Sequence, residues 1–380
     1  MRFFALTLEN WRNFRTVKVP LQDRMFLVGP NAAGKSNLLD SMRFLRDLAD
    51  PQGGFQRAVQ QRGGVSQIRS LHARQYSDVI VSAVIDDAEG QRWTYMVAFS
   101  QDNNRRPVVR AEKVYRGDRQ VLERPDGKDR EDPNRLSQTA LEQVNSNKDF
   151  RAVAEMLAQV RYLHLVPQLV REPERSVGRS RDPYGGDFLE QLARLQKERK
   201  KTFDSRMRRI RDALRVAVPQ LKDLKLERDT RGVPHLRGLY EHWRPRAGWQ
   251  TEDQFSDGTL RLMGLLWALL DGSAPLLLEE PELSLHAGVV RYLPAMMARL
   301  GRKVGRQVIV SSHSAELLSD QAIGAEEVLL LIPSREGTEV EVAADNSEVV
   351  ALLEGGLPMA EAVLPRTAPK NSAQLSLFSE

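Results

Sequence analysis

Apolar residues are spaced in three ways along the chain, and each spacing predicts a different element. Runs of consecutive apolar residues, Met25 to Val28 in MFLVG, Leu276 to Leu278 in APLLLEE and Val308 to Val310 in QVIVSSHS, suit strands buried on both faces. Helical spacing follows the first run, with Leu38, Leu39, Met42 and Leu45 in KSNLLDSMRFL. It recurs at Leu260, Met263, Leu266 and Leu270 in FSDGTLRLMGLLWALL. From Val79 to about Leu122 apolar and polar residues alternate, as in DVIVSAVID, QRWTYMVAFS and PVVRAEKVYR, which predicts an antiparallel sheet. The charged stretch ERPDGKDREDPN reads as a linker, and helical patterns dominate from Ser137 to about Val218. The expected fold is α/β, with a mixed sheet core, an antiparallel β subdomain and a helical insertion.

Composition narrows the class. The 380 residues are 41% hydrophobic and 28% charged, enough apolar material for a large core. No run reaches the roughly 20 apolar residues of a membrane span, and the start MRFFALTLENW has no long apolar signal core. We therefore expect a cytoplasmic protein without membrane contact. Cysteine is absent, which excludes disulfides, thiolate metal sites and a cysteine nucleophile, and the six scattered histidines argue against zinc. A net charge of +5 permits nucleic acid as a partner without requiring it.

The first apolar run ends in LVGPNAAGKSN, which carries the spacing G-x-x-x-x-G-K-[ST] between a strand and a helix. Gly29 and Gly34 let the backbone turn its amides toward phosphate oxygens, and the helix start adds partial positive charge. Lys35 is then expected to reach the β- and γ-phosphates of ATP and Ser36 to offer its hydroxyl to Mg2+. The second run ends in Glu279 and Glu280, followed by Pro281, so two acids stand at the C-terminal end of a buried strand where α/β sheets bind ligands. Glu279 is assigned to the metal and Glu280 to polarising the attacking water. The third run ends in two serines and His313, an imidazole able to hydrogen-bond the γ-phosphate or that water. Ser256, Asp257, Gly258 and Thr259 form a polar helix start with Ser256 as its cap, a second anion-ready end.

In order and spacing these stretches resemble the ATP-binding head of ABC-class P-loop ATPases, in the branch that holds RecF, SMC and OLD-type proteins. GPNAAGKSNLLDSM resembles Walker A, FSDGTLRLMGLLWALL the signature motif, LLLEEPELSLH Walker B with its D-loop, and VIVSSHS the switch histidine. The start LTLENWRNFRTVKVPL is similar to the first strand of such heads, and the wording EEPELSLH is nearest the small OLD-like predicted ATPases without a nuclease domain.

The resemblance implies an ABC-type head in two parts, residues 1–128 and 219–345, interrupted by an insertion at 129–218 and followed by a flexible tail at 346–380. It implies a head-to-tail homodimer with two sandwiched ATP molecules. Each would be held by Gly29, Asn31, Ala33, Gly34, Lys35, Ser36 and Asn37 of one chain and covered by Ser256 and Gly258 of the other, with Glu280 and His313 in hydrolysis. Three departures follow from the comparison: Glu279 stands where most of the class has aspartate, Asp257 replaces a usual glycine, and the Mg2+-sensing glutamine falls to Gln67 or Gln75. Arg12 and Arg15 are further candidates for nucleotide contact.

Two stretches suggest macromolecular partners. In KERKKTFDSRMRRIRDALR an apolar stripe of Phe203, Met207, Ile210 and Leu214 turns Lys200, Lys201, Arg208, Arg209 and Arg211 outward, a face suited to DNA phosphates or simply to solvent. The C-terminal QLSLF resembles the peptide by which bacterial proteins dock on the replication sliding clamp, through Gln374, Leu375, Leu377 and Phe378. The functional expectation is a slow, nucleotide-gated ATPase switch in DNA repair, replication or anti-phage defence. Its effector, a nuclease or toxin-like protein, would act in trans, because too little chain follows His313 for a nuclease domain. The alternative is an ATP-bound scaffold whose hydrolysis is incidental.

Overall fold

The computed structural model describes residues 1–50, 53–73, 78–87, 89–172, 182–242 and 248–367. The chain forms two compact units. One comprises residues 1–161, 273–277 and 305–380, the other residues 162–272 and 278–304.

Two six-stranded sheets are built largely from strands of the first unit. In the antiparallel one, β1 (Arg2–Trp11), β2 (Phe14–Pro20), β4 (Val79–Asp86), β5 (Arg92–Gln101), β6 (Pro107–Arg116) and β7 (Arg119–Arg124) run in the order β2-β1-β4-β5-β6-β7, which includes the sheet expected from the alternating stretch. The mixed sheet is centred on β3 (Arg24–Val28), which pairs in parallel with β13 (Val308–Ser312) and β14 (Val328–Ser334). β15 (Gly337–Val342) pairs antiparallel with β14, and beyond β13 come β12 (Leu276–Glu279) and β8 (Arg161–Leu163), giving β15-β14-β3-β13-β12-β8. Every residue of β3 and β13 is buried, as their unbroken apolar runs require. Gln307 joins the two sheets: its side chain accepts from Phe3 N (2.9 Å) and donates to Phe3 O (2.8 Å) and Gln22 O (2.9 Å).

The charged stretch read as a linker is a folded, charge-lined corner instead. Glu112 and Arg124 are cross-strand partners on β6 and β7, and both are buried. A buried carboxylate must be paired and hydrogen-bonded. Glu112 accepts from Arg124 (3.1 Å), Tyr95 Oη (3.0 Å), Ala140 N (2.6 Å) and Leu141 N (3.1 Å). Arg124 also grips Asp129 (2.9 and 3.0 Å), which with Asp126 closes a capping box on the short helix Gly127–Glu131. The stretch expected to be a flexible tail from residue 346 likewise begins as two helices, Ser347–Glu354 and Met359–Thr367. They order because Val349, Met359, Ala360, Ala362 and Val363 are buried. Gln374, Leu375, Leu377 and Phe378 lie outside the described residues.

The second unit holds the helices Phe188–Glu198, Lys200–Ala217, Asp257–Leu270 and Leu293–Val304, and a three-stranded sheet β11-β10-β9 of β9 (Leu221–Arg228), β10 (Pro234–Tyr240) and β11 (Trp249–Thr251). Helix Lys200–Ala217 buries Phe203, Met207, Ile210 and Leu214, as its spacing predicts. The helical stretch expected from Ser137 to Val218 is broken by β8, a strand too short to leave a periodic signature. The units part at Tyr162, after the first residue of that strand. Among the described residues no helix is long and apolar enough to cross a membrane.

Candidate functional site

In the first unit β3 delivers the chain into the glycine loop, and helix Lys35–Ala49 leaves it. Gly34 adopts φ +98°, and a Cβ there would sit 2.1 Å from Asn13 Nδ2. Gly29 is confined differently, since a Cβ would come within 2.8 Å of the Leu331 carbonyl. Only glycine satisfies both positions, one by conformation and one by space. Lys35 is buried and its ammonium donates to the carbonyls of Gly29 (2.8 Å) and Pro30 (3.1 Å), so it lies folded along its own loop. Asn31 and Ser36 are exposed, Asn37 is half-buried and Ala33 is buried. His313 is exposed just past β13, one residue before Ser314, which caps the short helix Ala315–Leu318.

In the second unit β12 ends at Glu279, and Glu280 follows with φ +44°, a left-handed conformation uncommon outside glycine, asparagine and aspartate. That turn separates the two acids in direction just where the strand stops. Ser256 caps helix Asp257–Leu270, accepting from Thr259 N at 3.2 Å. Gly258 has a packing reason of its own: a Cβ would lie 2.5 Å from the Ser284 carbonyl in the segment after the acids, where Ser284 itself has φ +62°. The signature turn and the D-loop segment of one chain are thus in backbone contact.

Comparisons with known proteins give the family and the fold. Residues 24–319 match the family described as "AAA domain, putative AbiEii toxin, Type IV TA system". The chain belongs to this family. Its fold is that of an ABC-type P-loop ATPase head. Its fold is similar to that of an SMC head solved in complex with the C-winged-helix domain of ScpA (TM-score 0.55, 11% identity, 90% of this chain and 97% of that one). It is also similar to an SMC head with an extended coiled coil bound to the C-terminal domain of ScpA, derived from Pyrococcus furiosus (TM-score 0.53, 11% identity, 93% and 98%). Among curated proteins it resembles "Endonuclease GajA" of Bacillus cereus (strain VD045), 36% identical over 58 residues. That stretch is 15% of this chain and spans only 10% of that relative.

Several residues that brace the site of this ABC-type ATPase escaped the sequence reading. Asn13 donates to Ala33 O (2.9 Å) and Thr338 Oγ1 (2.7 Å) and accepts from Asn37 Nδ2 (2.7 Å), while Trp11 Nε1 donates to Asn37 O (2.8 Å). Arg12 is engaged with Asp40 (3.2 Å) and Arg15 with Glu336. Burial alone would raise the Asp40 carboxyl, yet Arg62, Arg43 and Arg12 around it hold it below the usual range. In the second unit Arg171 donates to Asp257 Oδ1 (2.6 Å) and Phe255 O (2.7 Å). Arg261, one turn into the signature helix, has a buried Nε without a hydrogen-bond partner among the described residues. Its burial holds its pKa below the ordinary guanidinium value, while Asp257 and Glu280 draw it back up. Gln67 is exposed on the short helix Val65–Ile68, and Gln75 lies outside the described residues.

The basic helix is less open than its sequence suggested. Lys200 pairs with Asp204 (3.4 Å), and Arg211 with Asp223 (3.0 Å). Lys201, Arg208 and Arg209 are exposed.

Proposed function

We propose that the protein binds ATP with Mg2+, hydrolyses it slowly, and uses the nucleotide to gate a head-to-tail homodimer. The observation that carries this reading is that each chain offers two anion-ready ends, the braced loop from Gly29 to Asn37 and the Ser256-capped start of helix Asp257–Leu270. Lys35, folded onto loop carbonyls, is a cation waiting for phosphate oxygens. Ser36 and Glu279 would hold Mg2+, which supplies charge neutralisation at the β- and γ-phosphates. A hydroxyl and a carboxylate are the hard oxygen donors that this ion takes. Gly29, Asn31, Ala33, Gly34, Lys35, Ser36 and Asn37 grip the phosphates, Ser256 and Gly258 of the partner subunit cover them, Glu280 draws a proton from the attacking water, and His313 hydrogen-bonds the γ-phosphate or that water. Dimerisation then follows mass action on a ligand that binds only the paired state.

The reading extends to a cytoplasmic, DNA-associated process, in defence against phage or in repair and replication. Between Arg199 and Gln250 the sequence has fifteen Lys and Arg against six Asp and Glu, although the whole chain carries only +5. That concentration of charge, including exposed Lys201, Arg208 and Arg209 beside Lys200 and Arg211, supports contact with phosphate backbones. Cutting would belong to a nuclease or toxin-like effector in trans, in keeping with the local likeness to an endonuclease. The sliding clamp would take Gln374, Leu375, Leu377 and Phe378.

The test is Glu280→Gln. With ATP and Mg2+ it is expected to run as a stable dimer in light scattering, whereas the parent protein dimerises transiently, and the purified parent leaves DNA intact. An unchanged monomer in both would leave an ATP-bound scaffold as the reading.

A further inference from the structure

Glu279 is one methylene longer than the aspartate usual at its position, so its carboxylate has one more torsion to fix before it can serve a metal. The second unit supplies the means to fix it. Tyr162, on β8, donates its hydroxyl to Glu279 Oε2. His164, two residues on and so directed to the same side, places Nδ1 3.3 Å from the Glu279 carbonyl oxygen. A small cavity beside Glu279 is lined by Leu163, Leu165, Leu265, Leu278 and Pro281, with Arg261.

We propose that Tyr162 is a positioning residue for Glu279, and that it is what allows glutamate to do a shorter acid's work here. A phenol donating to a carboxylate makes a charge-assisted bond. It engages one oxygen and sets the rotamer in which the carboxylate is presented. Partners of this kind, one step removed from the ion, typically govern about 10- to 100-fold of metal affinity. The inference rests on the reading of Glu279 as the Mg2+ residue.

The experiment measures ATP affinity by equilibrium dialysis, with Mg2+ and with excess chelator, in a Glu280→Gln background where turnover is blocked. The factor by which Mg2+ tightens binding is the readout, because a general loss of structure lowers both affinities together. Tyr162→Phe is expected to cut that factor about tenfold and to leave metal-free affinity unchanged. Glu279→Asp withdraws the carboxylate from the hydroxyl, so adding Tyr162→Phe to it is expected to change nothing more. A factor unchanged by Tyr162→Phe but abolished by Glu279→Ala overturns the proposal and leaves the Mg2+ assignment standing. A factor indifferent to Glu279→Ala overturns both. Should Tyr162→Phe lose its thermal transition, 3-fluorotyrosine at position 162 keeps the ring and strengthens the donor. An unmoved factor there counts against the proposal as well.

Discussion

The phosphate loop of the first unit and the acid and signature segments of the second are built differently. The phosphate loop is held by short bonds between uncharged groups: Asn13 to Ala33 and Thr338, Asn37 to Asn13, Trp11 to Asn37. The acid and signature segments rely more on charge, with Arg171 on Asp257 and Arg261 near Glu280, while left-handed backbone occurs in both, at Ala32 and Gly34 and at Glu280 and Ser284. Uncharged hydrogen bonds change little with ionic strength, while charge contacts answer to whatever other charge arrives. Under the proposed function, the loop is then a preset receptor for phosphate and the acid and signature segments are the part whose state nucleotide changes.

The sharpest break of that contrast is Gly34→Ala. The new Cβ meets the Asn13 amide at 2.1 Å in a conformation with φ +98°. Strain of this kind costs about 1–3 kcal/mol from the backbone alone, and the clash must also eject the residue that braces the loop. Expected is loss of measurable ATP binding in calorimetry, with the fold retained. Full affinity in this variant would mean that the loop is not preset.

Charge in the corner between β6 and β7 is buried and closed on itself. Glu112, Arg124 and Asp129 are buried and mutually satisfied, and Asp129→Asn strips Arg124 of its main partner. Removing one member of a buried pair costs about 3–5 kcal/mol, which a denaturant titration would read. Hydrogen bonds from Arg124 hold Asp129 well below the usual carboxylate range, so its stabilisation is full above the unfolded-state pKa and is lost as pH falls through the lower folded value. Burial raises Glu112, so its share runs the other way: it is present below its unfolded value and declines as pH rises through the folded one. Replacing Asp129 should therefore flatten the acid limb of the stability curve.

Arg261 has no such satisfaction, and that predicts an effect on rate in place of stability. Arg261→Gln removes the cation near Glu280 and relieves a buried Nε that lacks a partner. Losing a nearby unit charge in a partly buried setting is worth on the order of 1 kcal/mol or more, so hydrolysis is expected to fall about tenfold while ATP affinity and melting temperature stay within error. A drop in melting temperature with unchanged rate would assign Arg261 to packing.

The contrast also explains what the sequence disclosed. The glycine spacing, Lys35, the two acids and the Ser256 cap were legible because a loop or a strand end needs those residue types at fixed local offsets. The braces were not legible, since Asn13 and Gly34, Tyr162 and Glu279, and Arg171 and Asp257 meet only through folding and each looks ordinary in its own stretch. ERPDGKDREDPN failed for a related reason: charge usually signals solvent, and only the cross-strand pairing of Glu112 with Arg124 turns it inward. The sheet of β9 to β11 stayed hidden because β9 places Lys, Asp, Glu and Arg among its leucines, β10 opens on proline, and β11 has only three residues.

The smallest expected effect is also the one that separates a preset loop from one that nucleotide shapes. Asn13→Ala removes three side-chain hydrogen bonds, to Ala33, Thr338 and from Asn37, each worth about 1 kcal/mol net. Part of that returns, because water can reach the half-exposed Asn37 amide and because the space beside Gly34 opens. ATP affinity should weaken several-fold in calorimetry, with a larger unfavourable entropy as binding itself orders the loop, and with the maximal hydrolysis rate unchanged. In the Asn13→Ala background Gly34→Ala no longer meets the amide, so some of its lost binding should return, limited by the backbone strain that remains. No recovery would place the whole penalty of Gly34→Ala in φ, and Asn13 would then be a passive neighbour of the loop.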